Sequence, residues 1–171
     1  MSSINFPKAA SVNEPNMILK LIEKMDEYGV IPEIECFDSG MLNYTSYLIN
    51  KGTLKGPHYI NVIFGNIYNS QNNLLDISSI LYNKPNDSKM CIGGIGKEQL
   101  KSNVMGLMYF DGLRIGLEDN LYIRDKEKTT NIELLKRIHR IMDEMDFGVM
   151  SPKKFKELGY ENKKINNIRK E

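Results

Sequence analysis

Two hydrophobic periods alternate along this chain. Ile18, Leu21, Ile22 and Met25 recur at i, i+3, i+4 and i+7, one face of a helix. That helix is expected to start at Asn13, to tolerate Pro15 in its first turn and to stop at Gly29. Pro32 prevents its renewal. Residues 33–37 then read with period two: Glu33, Glu35 and Phe37 share one strand face, and Ile34, Cys36 and Asp38 the other. A helix is expected at 41–50, ending at Gly52, and a strand at 59–64, closed by Gly65. Residues 74–82 read as a short helix with Leu74, Ile77, Ile80 and Leu81 inward. A buried strand at 89–92, a glycine turn at 93–96 and a helix at 97–108 follow. Residues 113–117 read as the last strand and 131–145 as the last long helix, its stripe running Leu134, Leu135, Ile138, Met142 and Met145. A small helix is expected at 152–158. Residues 2–6 read as the end of a strand whose earlier part would precede Met1.

Strands alternating with helices predict an α/β fold of parallel β–α units. The chain's 171 residues suit one domain, expected over 1–160, with a polar tail at 161–171. That length is short for a complete (β/α)₈ barrel, which takes about 250 residues. In such folds chemistry gathers at the C-terminal ends of the strands. Glu35, Gly65, Gly93 and Glu118 all fall at or near those ends.

Composition narrows the partners. Lys and Arg total 23 against 22 Asp and Glu, a balance that gives no reason to expect nucleic acid or an acidic membrane surface as partner. No apolar run is long enough to span a bilayer, and no signal-peptide pattern opens the sequence. Cys36 and Cys91 form no C-x-x-C pair and read as reduced core thiols, which points to the cytoplasm.

The chemistry concentrates at 112–120, Gly-Leu-Arg-Ile-Gly-Leu-Glu-Asp-Asn. Read as a strand, it puts Arg114, Gly116 and Glu118 on one face, with Asp119 and Asn120 directly after. Charges on an inward face must pair or hold a metal, because an isolated buried charge is very costly. An arginine–carboxylate pair fixing a loop and a chemical site are both open from spacing alone. Glu33 and Glu35 on one strand face are a second unusual feature, open to the same two readings. Gly93, Gly94 and Gly96 precede a helix, where they either admit an anion to backbone N–H groups or make a tight turn. His58 precedes a strand and His139 lies on an outer helix, so both read as packing or surface residues.

Four stretches carry a resemblance: G-L-R-I-G-L-E-D-N at 112–120, P-E-I-E-C-F-D-S-G-M-L at 32–42, G-G-I-G-K-E-Q at 93–99 and S-I-N-F-P at 3–7. In order and spacing they resemble the β-keto acid cleavage enzymes, whose best-known member is the 3-keto-5-aminohexanoate cleavage enzyme. The resemblance implies a zinc-dependent (β/α)₈ barrel of which this chain is the C-terminal part, a partial TIM barrel. It implies transfer of an acyl fragment between a β-keto acid and acetyl-CoA, giving acetoacetate and a new acyl-CoA, as in lysine degradation. Arg114 and Asp119 match the family's catalytic pair, Asp119 as the base and Arg114 as the group that orients substrate. Glu118 matches the zinc-binding glutamate, and Glu35 or Glu33 matches a substrate-facing position. Gly93 and Gly94 fall where the thioester is received. The family's H-x-H zinc strand and its serine and threonine lie upstream of what matches here. A separate N-terminal half-barrel chain, in an oligomer, is therefore the expected partner. The alternatives are a non-catalytic remnant, one subunit of a split barrel, or a member acting on another β-keto acid.

Overall fold

The computed structural model describes residues 2–161. The expected polar tail lies outside the described residues from 162 onward. The chain opens with an antiparallel hairpin, β1 (Ile4–Phe6) and β2 (Ala9–Ser11), Ile4 opposite Ser11. The strand expected at 2–6 is thus not part of the parallel sheet. Pro7 and Lys8 turn the chain, and Phe6 pairs with Ala9.

Helix α1 (Pro15–Glu27) has Glu14 at its N-cap and Pro15 in its first turn, where a missing N–H costs nothing. Gly29, at φ +68°, follows Tyr28 and ends it. Ile18 and Ile22 are buried, but Leu21 is 59% exposed, so only part of the expected stripe reaches the core. β3 (Glu33–Cys36) leads to α2 (Ser39–Asn50), whose first turn is capped by Asp38 accepting from the Met41 amide at 2.8 Å. β4 (His58–Phe64) and α3 (Leu74–Tyr82) follow, the latter capped by Asn73. Ile77 and Ile80 point inward as expected, but Leu74 is 71% exposed. Leu74 is the first residue of α3, ahead of the turns that meet the sheet.

β5 (Ser88–Gly94) is longer than expected and absorbs Gly93 and Gly94. α4 (Glu98–Tyr109) and the two-residue β6 (Gly112–Leu113) come next. A small antiparallel ribbon, β7 (Tyr122–Arg124) with β8 (Glu127–Lys128), was not expected. α5 (Asn131–Glu144) opens on a capping box between Thr130 and Glu133, and α6 (Pro152–Glu157) closes the described chain.

The main sheet runs β3-β4-β5-β6, all parallel, with Glu35, Asn61, Cys91 and Gly112 in register. One face presents Ile34, Cys36, Ile60, Val62, Phe64, Met90 and Ile92. These form a single core with Leu42, Leu48, Ile77 and Ile80 of the helices. The opposite face is polar at its edges and carries Glu33, Glu35, Tyr59, Asn61, Lys89 and Cys91, placed there by alternation. Its lower part is covered by the C-terminal segment. Phe155 and Tyr160 pack edge-on against Tyr59 at 5.7 and 5.6 Å, and the Tyr160 hydroxyl donates to the His58 carbonyl at 3.1 Å. Both cysteines are free and buried, and burial pushes their thiols up. No helix among the described residues is long and apolar enough to cross a membrane.

Asp111 ties the approach to β6 onto β5. It accepts from Lys84 at 2.5 Å, from Lys89 at 3.1 Å and from the Met90 amide at 2.9 Å. Burial alone would raise its carboxyl. The bonds from Lys84, Met90 and Lys89 outweigh that and hold it below the ordinary 3.8. A depressed carboxylate stabilises the fold above its unfolded value, and that stability is lost as pH falls through the folded value. Asp111→Asn is expected to lower stability by about 1–2 kcal/mol at neutral pH. In urea melts the gap between the two proteins should close below pH about 4. An unchanged gap in acid would show that the carboxylate charge is not what acts.

Candidate active site

The strand expected at 113–117 is only two residues long, because α4 takes over its hydrogen bonding. Arg114 N–H still donates to the Ile92 carbonyl at 2.8 Å, which keeps this residue beside β5. Its own carbonyl accepts from the Asn103 amide at 2.8 Å. The Gly116 carbonyl accepts from Gln99 at 2.8 Å and from the amides of Asp119 and Asn120 at 3.3 and 3.2 Å, which curls the chain into a turn. Leu117 N–H donates to the Asn131 side chain at 2.9 Å. Gln99 and Asn103 are fully buried, and Gly106 lets α4 approach β5 closely: a Cβ there would lie 2.8 Å from Ile92 Cγ2.

This turn gathers charge around one guanidinium. Arg114 donates through Nε to Asp119 at 2.9 Å and through Nη2 to the other Asp119 oxygen at 3.3 Å. Nη2 also reaches Glu118 at 2.8 Å, and Nη1 reaches Glu35 on β3 at 2.7 Å. The Asp119 side chain is 8% exposed and that of Glu118 84%, so the cluster runs from a buried pair to an open carboxylate. Burial alone would lower the Arg114 pKa. The bonds and charge of Asp119, then the charges of Glu35 and Glu118, reverse this and hold it above its ordinary value. Among the described residues, Arg114 gathers three carboxylates at the C-terminal ends of parallel strands.

Glu33 lies one step down the same face, where the Asn61 side-chain amide donates to it. Gly93 and Gly94 lie within β5 and not in a turn. A Cβ on Gly93 would sit 2.9 Å from Ile63, and one on Gly94 2.4 Å from Ser102 Oγ and 2.7 Å from the Glu98 carbonyl. Close packing of β5 on α4 thus already calls for glycine at 94. The following amides are engaged: Ile95 N–H donates to Phe64 at 2.9 Å and Gly96 N–H to the Asp119 carbonyl at 2.7 Å. The second contact ties the turn after β5 to the turn bearing the acid. His58 opens β4, at the opposite end from the C-terminal strand ends, and burial pushes its imidazole pKa down. His139 lies on α5 and lines an apolar groove beside β6.

Sequence reasoning did not single out Gln99 and Asn103. The signal was present: Gln99, Ser102, Asn103 and Gly106 recur at i, i+3, i+4 and i+7, a helical stripe of small and polar residues. Such a face turned inward needs backbone partners, and the irregular segment after β6 supplies them.

Comparison with known proteins bears on the family. The family model for beta-keto acid cleavage enzyme matches residues 1–159. The 3-dehydrocarnitine:acetyl-CoA trimethylamine transferase of Rhizobium meliloti is 26% identical over 82% of this chain and 47% of its own length. The 3-keto-5-aminohexanoate cleavage enzyme of Fusobacterium nucleatum subsp. nucleatum is 30% identical over 82% of this chain and 52% of its own length. The apo structure of ObcA superposes with a TM-score of 0.73 at 15% identity, covering 88% of this chain and 41% of that one, which speaks for the fold alone. The chain spans about half the length of the curated relatives it matches.

Asn103→Ala removes the bond that fixes the Arg114 carbonyl. It is expected to cost about 1–3 kcal/mol and to speed amide exchange across residues 114–120 while the strand amides of β4 keep their protection. Unchanged exchange in that turn would show that α4 does not hold it.

Proposed function

This chain belongs to the beta-keto acid cleavage enzyme family, and we propose that it carries the arginine–carboxylate part of a site that cleaves a β-keto acid with acetyl-CoA. The observation that supports the reading best is the convergence of Asp119, Glu118 and Glu35 on the Arg114 guanidinium. In this proposal the Arg114 fork holds the keto acid and balances the negative charge that develops on it. Asp119, gripped by two of the guanidinium nitrogens, is the base that takes the acidic proton beside the keto group. Glu35 faces the substrate, and its carboxylate favours a keto acid bearing an ammonium group, as 3-keto-5-aminohexanoate does. Glu33 supports it from below through Asn61. Gly93 and Gly94 keep the floor of the site flat where the thioester approaches. The acyl fragment leaves on coenzyme A, and the acetyl group of acetyl-CoA joins the remaining CH2–COO⁻ unit as acetoacetate.

The four parallel strands and their covering helices form, in this reading, part of a (β/α)₈ barrel, in one domain ending at 160. Relatives twice as long, and a sheet with no further strand on either edge among the described residues, support it. β–α units outside this sequence, on the same polypeptide or on a separate half-barrel chain in a cytoplasmic oligomer, complete the barrel. Zinc, which the family resemblance implies, would take Glu118 as its ligand here. A catalytic zinc site needs three protein ligands. Among the described residues no group of three His, Cys, Asp or Glu side chains is placed to hold a metal. This chain's residues do not make up the site, and the steps above use none of that chemistry. A second reading is a remnant that keeps the fold without turnover.

One reconstitution separates the two. The chain is mixed with the separately produced N-terminal half of the Fusobacterium relative, and acetoacetate formation from 3-keto-5-aminohexanoate and acetyl-CoA is followed. Turnover is expected, and Arg114→Lys should lower kcat/KM by about 10²-fold or more, because lysine lacks the planar fork. Wild-type-like kcat/KM in that variant would remove Arg114 from the mechanism. An inactive but stably formed complex would favour the remnant.

Metal analysis after dialysis gives a second test. The chain alone is expected to retain far less than one zinc per molecule, and the complex about one, lowered by Glu118→Ala. Stoichiometric zinc in the chain alone would overturn this assignment of ligands.

A further inference from the structure

We infer that Gly93 is a positioning residue for Arg114. The side chain it lacks leaves a lane by which the arginine crosses the sheet to Glu35, and Ile63 is the far wall of that lane. The consequence for turnover rests on the role given to Arg114 above; the placement itself does not.

The crossing is long. Arg114 directly follows β6 and is held beside β5 by its amide bond to the Ile92 carbonyl at 2.8 Å. Glu35 is on β3, at the other end of the β3-β4-β5-β6 order. Three strand spacings make about 14 Å on a flat sheet. Arg114 Nη1 nevertheless lies 2.7 Å from Glu35 Oε1. The side chain therefore runs across β5 and β4, on the face turned away from the helices. The bonds to Asp119 need no such crossing, because that residue lies five positions on in the same turn.

What the arginine crosses is Gly93 and then Ile63, which are register partners in β5 and β4. A Cβ on Gly93 would stand 3.4 Å from Arg114 Cβ and 3.6 Å from Arg114 Cδ, so the aliphatic part of the arginine passes beside the empty position. The same Cβ would stand 2.9 Å from Ile63 Cδ1. Ile63 is 1% exposed, although alternation turns it away from the helices and it stands outside the core cluster.

Other reasons for a glycine at 93 do not hold. Gly65 and Gly96 nearby have positive φ, and Gly93 does not. The close approach of α4 is made at Gly94, where a Cβ would meet Ser102 Oγ and the Glu98 carbonyl. The nearest atoms to a Cβ at 93 belong to Ile63 and Arg114 instead. The fork that meets the keto acid is thus aimed, at its Glu35 end, by the absence of a side chain.

Size then sets the effect of substitution. A methyl at 93 keeps ordinary van der Waals distance from Arg114 and collides with Ile63 Cδ1. Shortening Ile63 to valine removes that atom. A valine at 93 branches at Cβ, and its added carbons crowd the arginine side as well as the Ile63 side. Shortening Ile63 does not relieve the arginine.

The test compares two double variants of the full chain, Gly93→Ala/Ile63→Val and Gly93→Val/Ile63→Val. Nuclear Overhauser contacts from the Arg114 Nη protons to the Glu35 side chain report the crossing, and those from Arg114 Nε–H to the Asp119 side chain report the local pair. The alanine pair is expected to keep both contacts. The valine pair is expected to lose the first and keep the second, with amide exchange in β4 unchanged. Retention of the Glu35 contact in the valine pair overturns the proposal. Should that pair fail to fold, Gly93→Ala alone decides. Its Glu35 contact is expected to weaken and to return with Ile63→Val, and an intact contact overturns the proposal. In the reconstituted enzyme the valine pair should lie at least about tenfold below the alanine pair in kcat/KM. A displaced Arg114 with no such gap in turnover would sink the functional role of Arg114 and leave its placement. A retained Glu35 contact would sink the placement and leave the functional role.

Discussion

The bidentate pair between Arg114 and Asp119 is the constraint around which the upper end of the sheet is built. Both partners are largely shielded from water, so each carboxylate or guanidinium charge here depends on its partner. The pair can form only if the chain turns back within five residues. Gln99 and Asn103 supply that turn by holding the carbonyls of Gly116 and Arg114. Those side chains reach their targets because α4 packs closely on β5, and α4 does so because Gly94 and Gly106 offer no side chain at the contact. A run of small and polar residues in one helix thus sets the position of a guanidinium several ångströms away.

The same guanidinium draws in the neighbouring carboxylates. Arg114 has five donors and spends four contacts on three carboxylates. The gradient of exposure, from Asp119 inside to Glu118 outside, gives the entering group a direction of approach.

Further down the sheet the two faces solve different problems. The helix-covered face holds an ordinary aliphatic core. The other face would expose Tyr59, Lys89 and Cys91 but for the C-terminal segment, whose Phe155 and Tyr160 stack on each other at 5.1 Å and close over Tyr59. Burial, the largest cause, together with the neighbouring Cys91 raises the Tyr59 hydroxyl above its ordinary value and keeps it neutral. The segment reduces the apolar area that this face of the sheet would show to solvent.

Much of this was legible in the sequence. Period and punctuation located every long helix and each strand of the main sheet, because glycine, proline and the capping residues act through local backbone physics. The charged run at 112–120 and the paired glutamates at 33 and 35 stood out because their residue types conflict with their positions. The sequence read alone could not show that Arg114 leaves the strand, since α4 decides this through two buried amides. It could not show that residues 2–6 fold back as a hairpin, that Leu21 and Leu74 face outward, or that Phe155 and Tyr160 seal the lower sheet. Each of these depends on contacts between residues distant in sequence. Local periodicity says which face a side chain takes, and only the tertiary structure says what that face meets.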